Sequence, residues 1–218
     1  MLLSFDVLPE TVAEHDDWHT HEHLPERLAI PGFLRGTRWV AIHGGPRYLV
    51  LYEVEELATL TSPAYLARLE QPTAWTSKLM PHYRGMSRGF CTVSGSFGLG
   101  SGHVAVLLRF APDPASAASL RRRLLQDVLP QLPDQPGIGS VHLLEGATAP
   151  PMINEQRIRG RDAGVAWALL ATAYREAALP LVARDICNDV EHACAARPVD
   201  ALYRLDYSLA QSELGVQS

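Results

Sequence analysis

Four of the nine histidines, His15, His19, His21 and His23, crowd into the run EHDDWHTHEHLPE. Imidazole titrates near neutrality, so such a run can move protons or hold a metal. On a helix, His15, His19 and His23 stand at i, i+4 and i+8 and share one face. Two imidazoles one turn apart can bind a divalent ion, with Asp16 or Glu22 adding an oxygen. The sequence names no remote third ligand. A solvated polar face is therefore the plainer reading of the cluster, no metal is expected, and a haem or metal site on His15, His19 and His23 is the alternative. His23 stands apart because it precedes Leu24-Pro25. Pro25 has no backbone N–H and should break or kink the helix there. His23 would then sit at a helix end, facing a cavity mouth as an acid or base, or capping the break.

A second set of candidates lies on the strand pattern RYLVLYEV, Arg47 to Val54. Period-two alternation puts Tyr48, Val50, Tyr52 and Val54 on one face and Arg47, Leu49, Leu51 and Glu53 on the other. Either face can look into a cavity. Inward, Glu53 would be a base or an orienting carboxylate, and Tyr52 a hydroxyl donor. On the preceding strand Arg38 and Trp39 face opposite ways. Trp18, Trp39 and Trp75 can line an apolar pocket for a cyclic substrate, against the competing reading of core packing.

These residues are positioned by a recognisable order of elements. Leu2–Leu8 reads as a strand and Glu10–His23 as a helix, followed by a Pro31-Gly32 turn. Phe33–His43 and Arg47–Val54 form a hairpin around Gly44-Gly45-Pro46. Glu55–Leu79 is helical with breaks near Pro63 and Pro72, and Arg88–Ser94 is a strand. This is a split β-α-β-β-α-β unit. The glycine-rich stretch Gly95–Gly102 reads as a linker, because it lacks the spacing of a phosphate loop. The same order then returns: strand His103–Phe110, helix Pro114–Leu129, strands Ile138–Glu145 and Val165–Tyr174, helix Glu176–Ala195, strand Ala201–Leu209. The connection Gly146–Ala163 is a loop insertion relative to the first half.

Letters repeat as well as pattern. LPERLAIPGF, from Leu24 to Phe33, lies over LPQLPDQPGI, from Leu129 to Ile138, without a gap and 105 positions apart. A duplication explains this better than chance. The expected architecture is α+β: tandem ferredoxin-like repeats, residues 1–97 and 103–212, packed sheet to sheet as an intrachain α+β barrel. The register maps His23 onto Val128 and Glu22 onto Asp127. Valine cannot transfer a proton, so the working site is expected in the first repeat.

The stretch WHTHEHLPERLAIPGFLRGTRW carries H-x-P followed by PG-hydrophobic-R-x-hydrophobic. In this it resembles EthD-like proteins of the dimeric α+β barrel superfamily, best over Leu2–Val93, with the second half a degenerate copy. The resemblance implies a cavity with His23 at its mouth. It leaves the chemistry open, since the superfamily includes isomerases, cyclases, cofactor-free oxygenases, decarboxylases and haem enzymes.

Composition narrows the classes further. The net charge is −5 over 218 residues, with no concentrated basic face, so nucleic acid is not an expected partner. The run Arg121-Arg122-Arg123 reads as a solvated helix face. Three cysteines, Cys91, Cys187 and Cys194, without C-x-x-C spacing argue against disulfides and structural zinc. No apolar run reaches the roughly 20 residues of a membrane span. The expectation is a cytoplasmic protein with a small-molecule ligand, and self-association is left open. It is an enzyme without an organic cofactor, acting on a cyclic or aromatic carboxylate, lactone or polyketide-like molecule by isomerisation, cyclisation or decarboxylation. His23, Glu53 and Tyr52 would do the chemistry, with Trp18, Arg38 and Trp39 holding the ligand. A non-catalytic binder of the same ligands is the alternative.

Overall fold

Strand β1, Leu2–Val7, is apolar at four of its six positions and buried at five, because both of its faces are covered. Leu3, Phe5 and Val7 join the core under the helices, while Leu2 joins a second core on the opposite face. The computed structural model that shows this describes residues 1–147, 163–194 and 199–215. After β1 come a 3-10 turn at Pro9–Thr11 and α1, Val12–Trp18. The hairpin β2, Phe33–His43, and β3, Tyr48–Val54, follows. Helices α3, Pro63–Glu70, and α4, Ala74–Leu79, lead into β4, Tyr83–Gly89. Ser62 and Thr73 cap α3 and α4 by accepting the backbone N–H groups of Tyr65 and Thr76.

Between α1 and α2, Leu24–Leu28, the helix does not break. It widens into a π turn over His19–His23, in which the Leu24 N–H reaches back to the His19 carbonyl. The expected break at Pro25 is thereby corrected. Pro25 sits in the first turn of α2, where its missing N–H costs least, and the wide turn absorbs the register change. A second π turn covers Leu124–Val128, after α5, Ala117–Arg123, and so lies 105 residues further on. Gly32 and Gly137, also 105 apart, both adopt positive φ, at 89° and 102°. Glycine is the residue that takes this conformation without strain.

The rest of the chain supplies β5, Cys91–Gly98, β6, Val104–Phe110, β7, Ile138–Gly146, β8, Trp167–Ala173, α6, Leu179–Glu191, and β9, Val199–Ala210. The nine strands among the described residues form one antiparallel sheet in the order β4-β1-β3-β2-β9-β6-β8-β7-β5. The order within β4-β1-β3-β2 recurs in β9-β6-β8-β7. The expected sheet-to-sheet barrel left open whether the two sheets join at their edges. The long strands β2 and β9 pair, from Arg35 opposite Ala210 to His43 opposite Leu202, and join the halves into one sheet. At the other end only Phe90 separates β4 from β5, so the outermost strands are consecutive in the chain and the sheet curls into a barrel. Much of the expected Gly95–Gly102 linker is thus strand: Gly95 and Gly98 pair with Leu143 and Ser140. The expected insertion Gly146–Ala163 lies for most of its length outside the described residues.

Three cores result. One lies under the helices of the first half, one under those of the second, and one inside the barrel. The inner core joins Leu2, Trp39 and Leu49 to Ala105, Leu107, Leu170 and Tyr203. Among the described residues, no helix is long and apolar enough to cross a membrane.

Candidate functional site

The face of the first helical stretch that meets the sheet carries His15, His19, His23 and Arg27, each one turn beyond the last. The three imidazoles form a column, with ring centroids 5.6 Å apart from His15 to His19 and 5.5 Å from His19 to His23. Beyond the column lies a cavity of about 30 Å³. His19, His23 and Arg27 reach it from the helix, Tyr52 from β3, Tyr83 and Arg88 from β4. All but His23 are buried, and His23 is half-buried. Two guanidiniums, two imidazoles and the phenols of Tyr52, Tyr65 and Tyr83 at one small cavity are an unusual concentration of polar chemistry in a core. Three of the four methionines, Met1, Met80 and Met86, also line it. Methionine is flexible and adapts its shape, so this wall can give way to a larger guest.

Electrostatics sort the histidines into roles. Burial, followed by the charges of His15, Arg38 and Arg27, pushes His19 well below the usual imidazole range, so its ring is neutral at pH 7. Its Nδ1 is buried and has no hydrogen-bond partner among the described residues. His15 is likewise lowered by burial, partly offset by Asp16. Its Nδ1 lies 3.2 Å from Asp16 Oδ1 and its Nε2 lies 3.1 Å from the Tyr83 hydroxyl. A carboxylate only accepts, so Nδ1 carries the proton and Tyr83 donates to Nε2. Burial raises the Asp16 carboxyl, but hydrogen bonds from His15 and Tyr48 and the Arg38 guanidinium outweigh it and hold the group below the ordinary range. Burial, with a hydrogen bond to Asp16, pushes the Tyr48 phenol far up, so it stays a donor.

The sheet divides the sequence candidates. His23 and Tyr52 meet at the helix-side cavity. Trp18 is fully buried beside them, its ring 4.4 Å from that of His23, and its indole N–H donates to Glu22 at 3.1 Å. Arg38 is on the helix side but outside the cavity. It donates to Asp206 at 2.6 Å and to the Asp16 carbonyl at 3.0 Å, and so anchors β9 and α1 to β2. Glu53 and Trp39 face the barrel interior instead, because alternation sends neighbours of Tyr52 and Arg38 through the sheet. There they line a larger cavity of about 740 Å³. Glu53 is exposed at its rim, 3.9 Å from Arg35. Trp75 is half-buried at the back of the helices and donates to Glu14.

Among the described residues, no three His, Cys, Asp or Glu side chains come together as a ligand set. The space of about 30 Å³ beside His19 and His23 does not hold a porphyrin as it stands, and a ring-sized guest of any kind enters only if the methionine wall moves. Sequence reading missed Arg27 and Arg88. The signal for Arg27 was present, since it continues the four-residue spacing of the histidines. Arg88 gave none, standing between Ser87 and Gly89 on a short strand.

No family model matches the sequence, and no curated protein matches it. Solved structures do. An anthrone oxidase-like protein is similar over 100% of this chain and 94% of its own, with a TM-score of 0.70 and 12% identity. A putative monooxygenase from Fusobacterium nucleatum is similar over 96% and 92%, at TM-score 0.59 and 10% identity. A putative chlorite dismutase is similar over 98% and 95%, at TM-score 0.51 and 13% identity. Identities this low carry the fold alone: the chain has the ferredoxin-like α+β barrel fold of these proteins.

Proposed function

We propose that the protein is a small-molecule enzyme of the EthD-like kind, working without an organic cofactor. It is built as two ferredoxin-like units, residues 1–97 and 103–212, with one working site between helix and sheet of the first. The substrate is a cyclic or aromatic molecule of the lactone or polyketide type, with an acidic C–H next to a carbonyl. His23 takes that proton and returns it elsewhere, which is the shared core of isomerisation and cyclisation. Tyr52 donates a hydrogen bond to the enolate oxygen, and the guanidiniums of Arg27 and Arg88 stabilise its charge. Neutral His19 orients the ring system. The observation that carries this reading is the meeting of His23, Tyr52, Arg27 and Arg88 at one cavity with a methionine wall.

Turnover of a panel of cyclic β-ketoesters, lactones and hydroxyaromatic acids tests it. His23→Ala should lower kcat by about a hundredfold or more, as removal of a general base does, and leave the melting temperature nearly unchanged. Retained turnover in that variant sinks the reading. The name of the anthrone oxidase-like neighbour supports a second reading with the same first step. The carbanion left by proton removal would then be oxidised by dioxygen. Oxygen uptake matching substrate loss selects this reading, and turnover under argon selects the first.

A further inference from the structure

On the opposite face of the sheet the barrel encloses a space of about 740 Å³ that the proposed reaction does not use. Its volume falls within the usual range for small-molecule sites, about 300–1,000 Å³. Trp39, Leu51, Leu144 and Leu170 make its walls apolar. One wall differs. The Ser96 hydroxyl lies 2.8 Å from His142 Nδ1, His142 Nε2 lies 3.1 Å from the Ser140 hydroxyl, and Ser140 lies 2.9 Å from Thr172. The Gly102 N–H donates to Thr172 at 3.3 Å and ends the chain. Ser140 and Thr172 are buried, each 2% exposed. Ser96 is the exposed end, and His142 and Ser96 both line the cavity. A serine hydroxyl has one proton and two lone pairs, and its bond to His142 uses one of these. The remainder face the space.

We propose that the barrel interior is a second ligand site, for an uncharged, mainly apolar ring compound bearing one hydroxyl or carbonyl oxygen, which Ser96 and His142 bind. Charge selects against an anion. Arg35 and Glu53 at the rim face each other at 3.9 Å, and Arg35 also reaches Ser208, so their charges offset. Deeper in, among the described lining residues, burial keeps the His142 imidazole below its ordinary pKa and lowers the Met1 amino group to about 6, so both are mainly neutral at pH 7. Leu34 and Val93, 44% and 57% exposed, put apolar surface at the mouth where such a ligand enters.

The test is calorimetric titration of the full chain with 2-naphthol and, separately, with 2-naphthoate, its charged counterpart. The naphthol should bind, and the naphthoate should bind about tenfold more weakly or not at all. His142→Leu should weaken naphthol binding about tenfold, the loss of one good hydrogen bond. Leu170→Trp should abolish it by filling the space. If that variant does not fold, Ser96→Phe at the exposed end blocks the same volume. The proposal is overturned if naphthol fails to bind, if it binds the filled variants unchanged, or if His23→Ala removes binding while His142→Leu does not. The last result would place the ligand on the other side of the sheet. None of these outcomes depends on whether the helix-side cavity is catalytic.

Discussion

At four successive turns of the first helical stretch stand His15, His19, His23 and Arg27, and 105 residues on stand Leu120, Leu124, Val128 and Leu132. In both stretches an α-helix runs into a π turn at the same place, after which the first continues as α-helix and the second as 3-10 helix. The strands follow suit. Phe5 opposes Tyr48 and Phe110 opposes Trp167, so four residues along each partner strand Tyr52 corresponds to Ala171. The second half fills its helix-side space with an unbroken apolar core, while the first keeps imidazoles, guanidiniums and phenols there. Burying such groups costs free energy that leucine would contribute instead. A scaffold that can be packed with leucine, and is packed so once, does not need histidine for folding. The polar set in the first half is therefore best explained by chemistry, at some cost in stability.

Exchanging residues between the halves sharpens this contrast. The largest effect is expected for Leu124→His, which puts an imidazole into the apolar core of the second half. It loses a fully buried leucine and leaves polar atoms unpaired, a combined cost of about 3–5 kcal/mol in urea unfolding. The opposite exchange, His19→Leu, should be neutral or stabilising. If the two substitutions cost the same, the halves are not the unlike pair described above.

A smaller effect separates His23 from its counterpart. Val128 is half-buried against the second core, so Val128→Ala should cost roughly 1 kcal/mol and leave turnover intact. His23→Ala should do the reverse. Paired thermal melts and rate measurements on both variants decide which half works.

A further effect is one of pH. Burial depresses the folded-state pKa of His15 and His19 below the ordinary value. Below about pH 6.5 the unfolded chain binds protons that the folded chain refuses, so stability falls as the pH drops. Each histidine contributes at most about 1.4 kcal/mol per pH unit in that window. His19→Leu should flatten the decline between pH 7 and 5. An unchanged slope would mean His19 is not the neutral, buried ring described here.

Much of this was legible in the residues. The LPERLAIPGF and LPQLPDQPGI stretches suggest an offset of 105, and a π turn and a left-handed glycine stand at that same offset in each stretch. His23 is marked by its place before Leu24-Pro25 and by the EthD-like resemblance, and Tyr52 by strand alternation. Alternation alone could not say which face of β3 looked at the helices, so Glu53 and Trp39 were grouped with residues on the far side of the sheet. Pro25 suggested a break because propensity does not signal a π turn. Gly95–Gly102 suggested a linker because glycine content hides a strand that exists only through pairing with β7. Ser96 and His142 are 46 residues apart and meet only in that register. No local pattern shows such a contact.

The central claim is that the first-half histidines serve chemistry rather than folding. The double variant His19→Leu/His23→Val, which copies the second half, tests it most directly through its urea unfolding midpoint. The account predicts a midpoint equal to or above that of the wild type. A loss of about 2 kcal/mol or more, the scale of a disrupted core, would contradict it, because the histidines would then be holding the fold together.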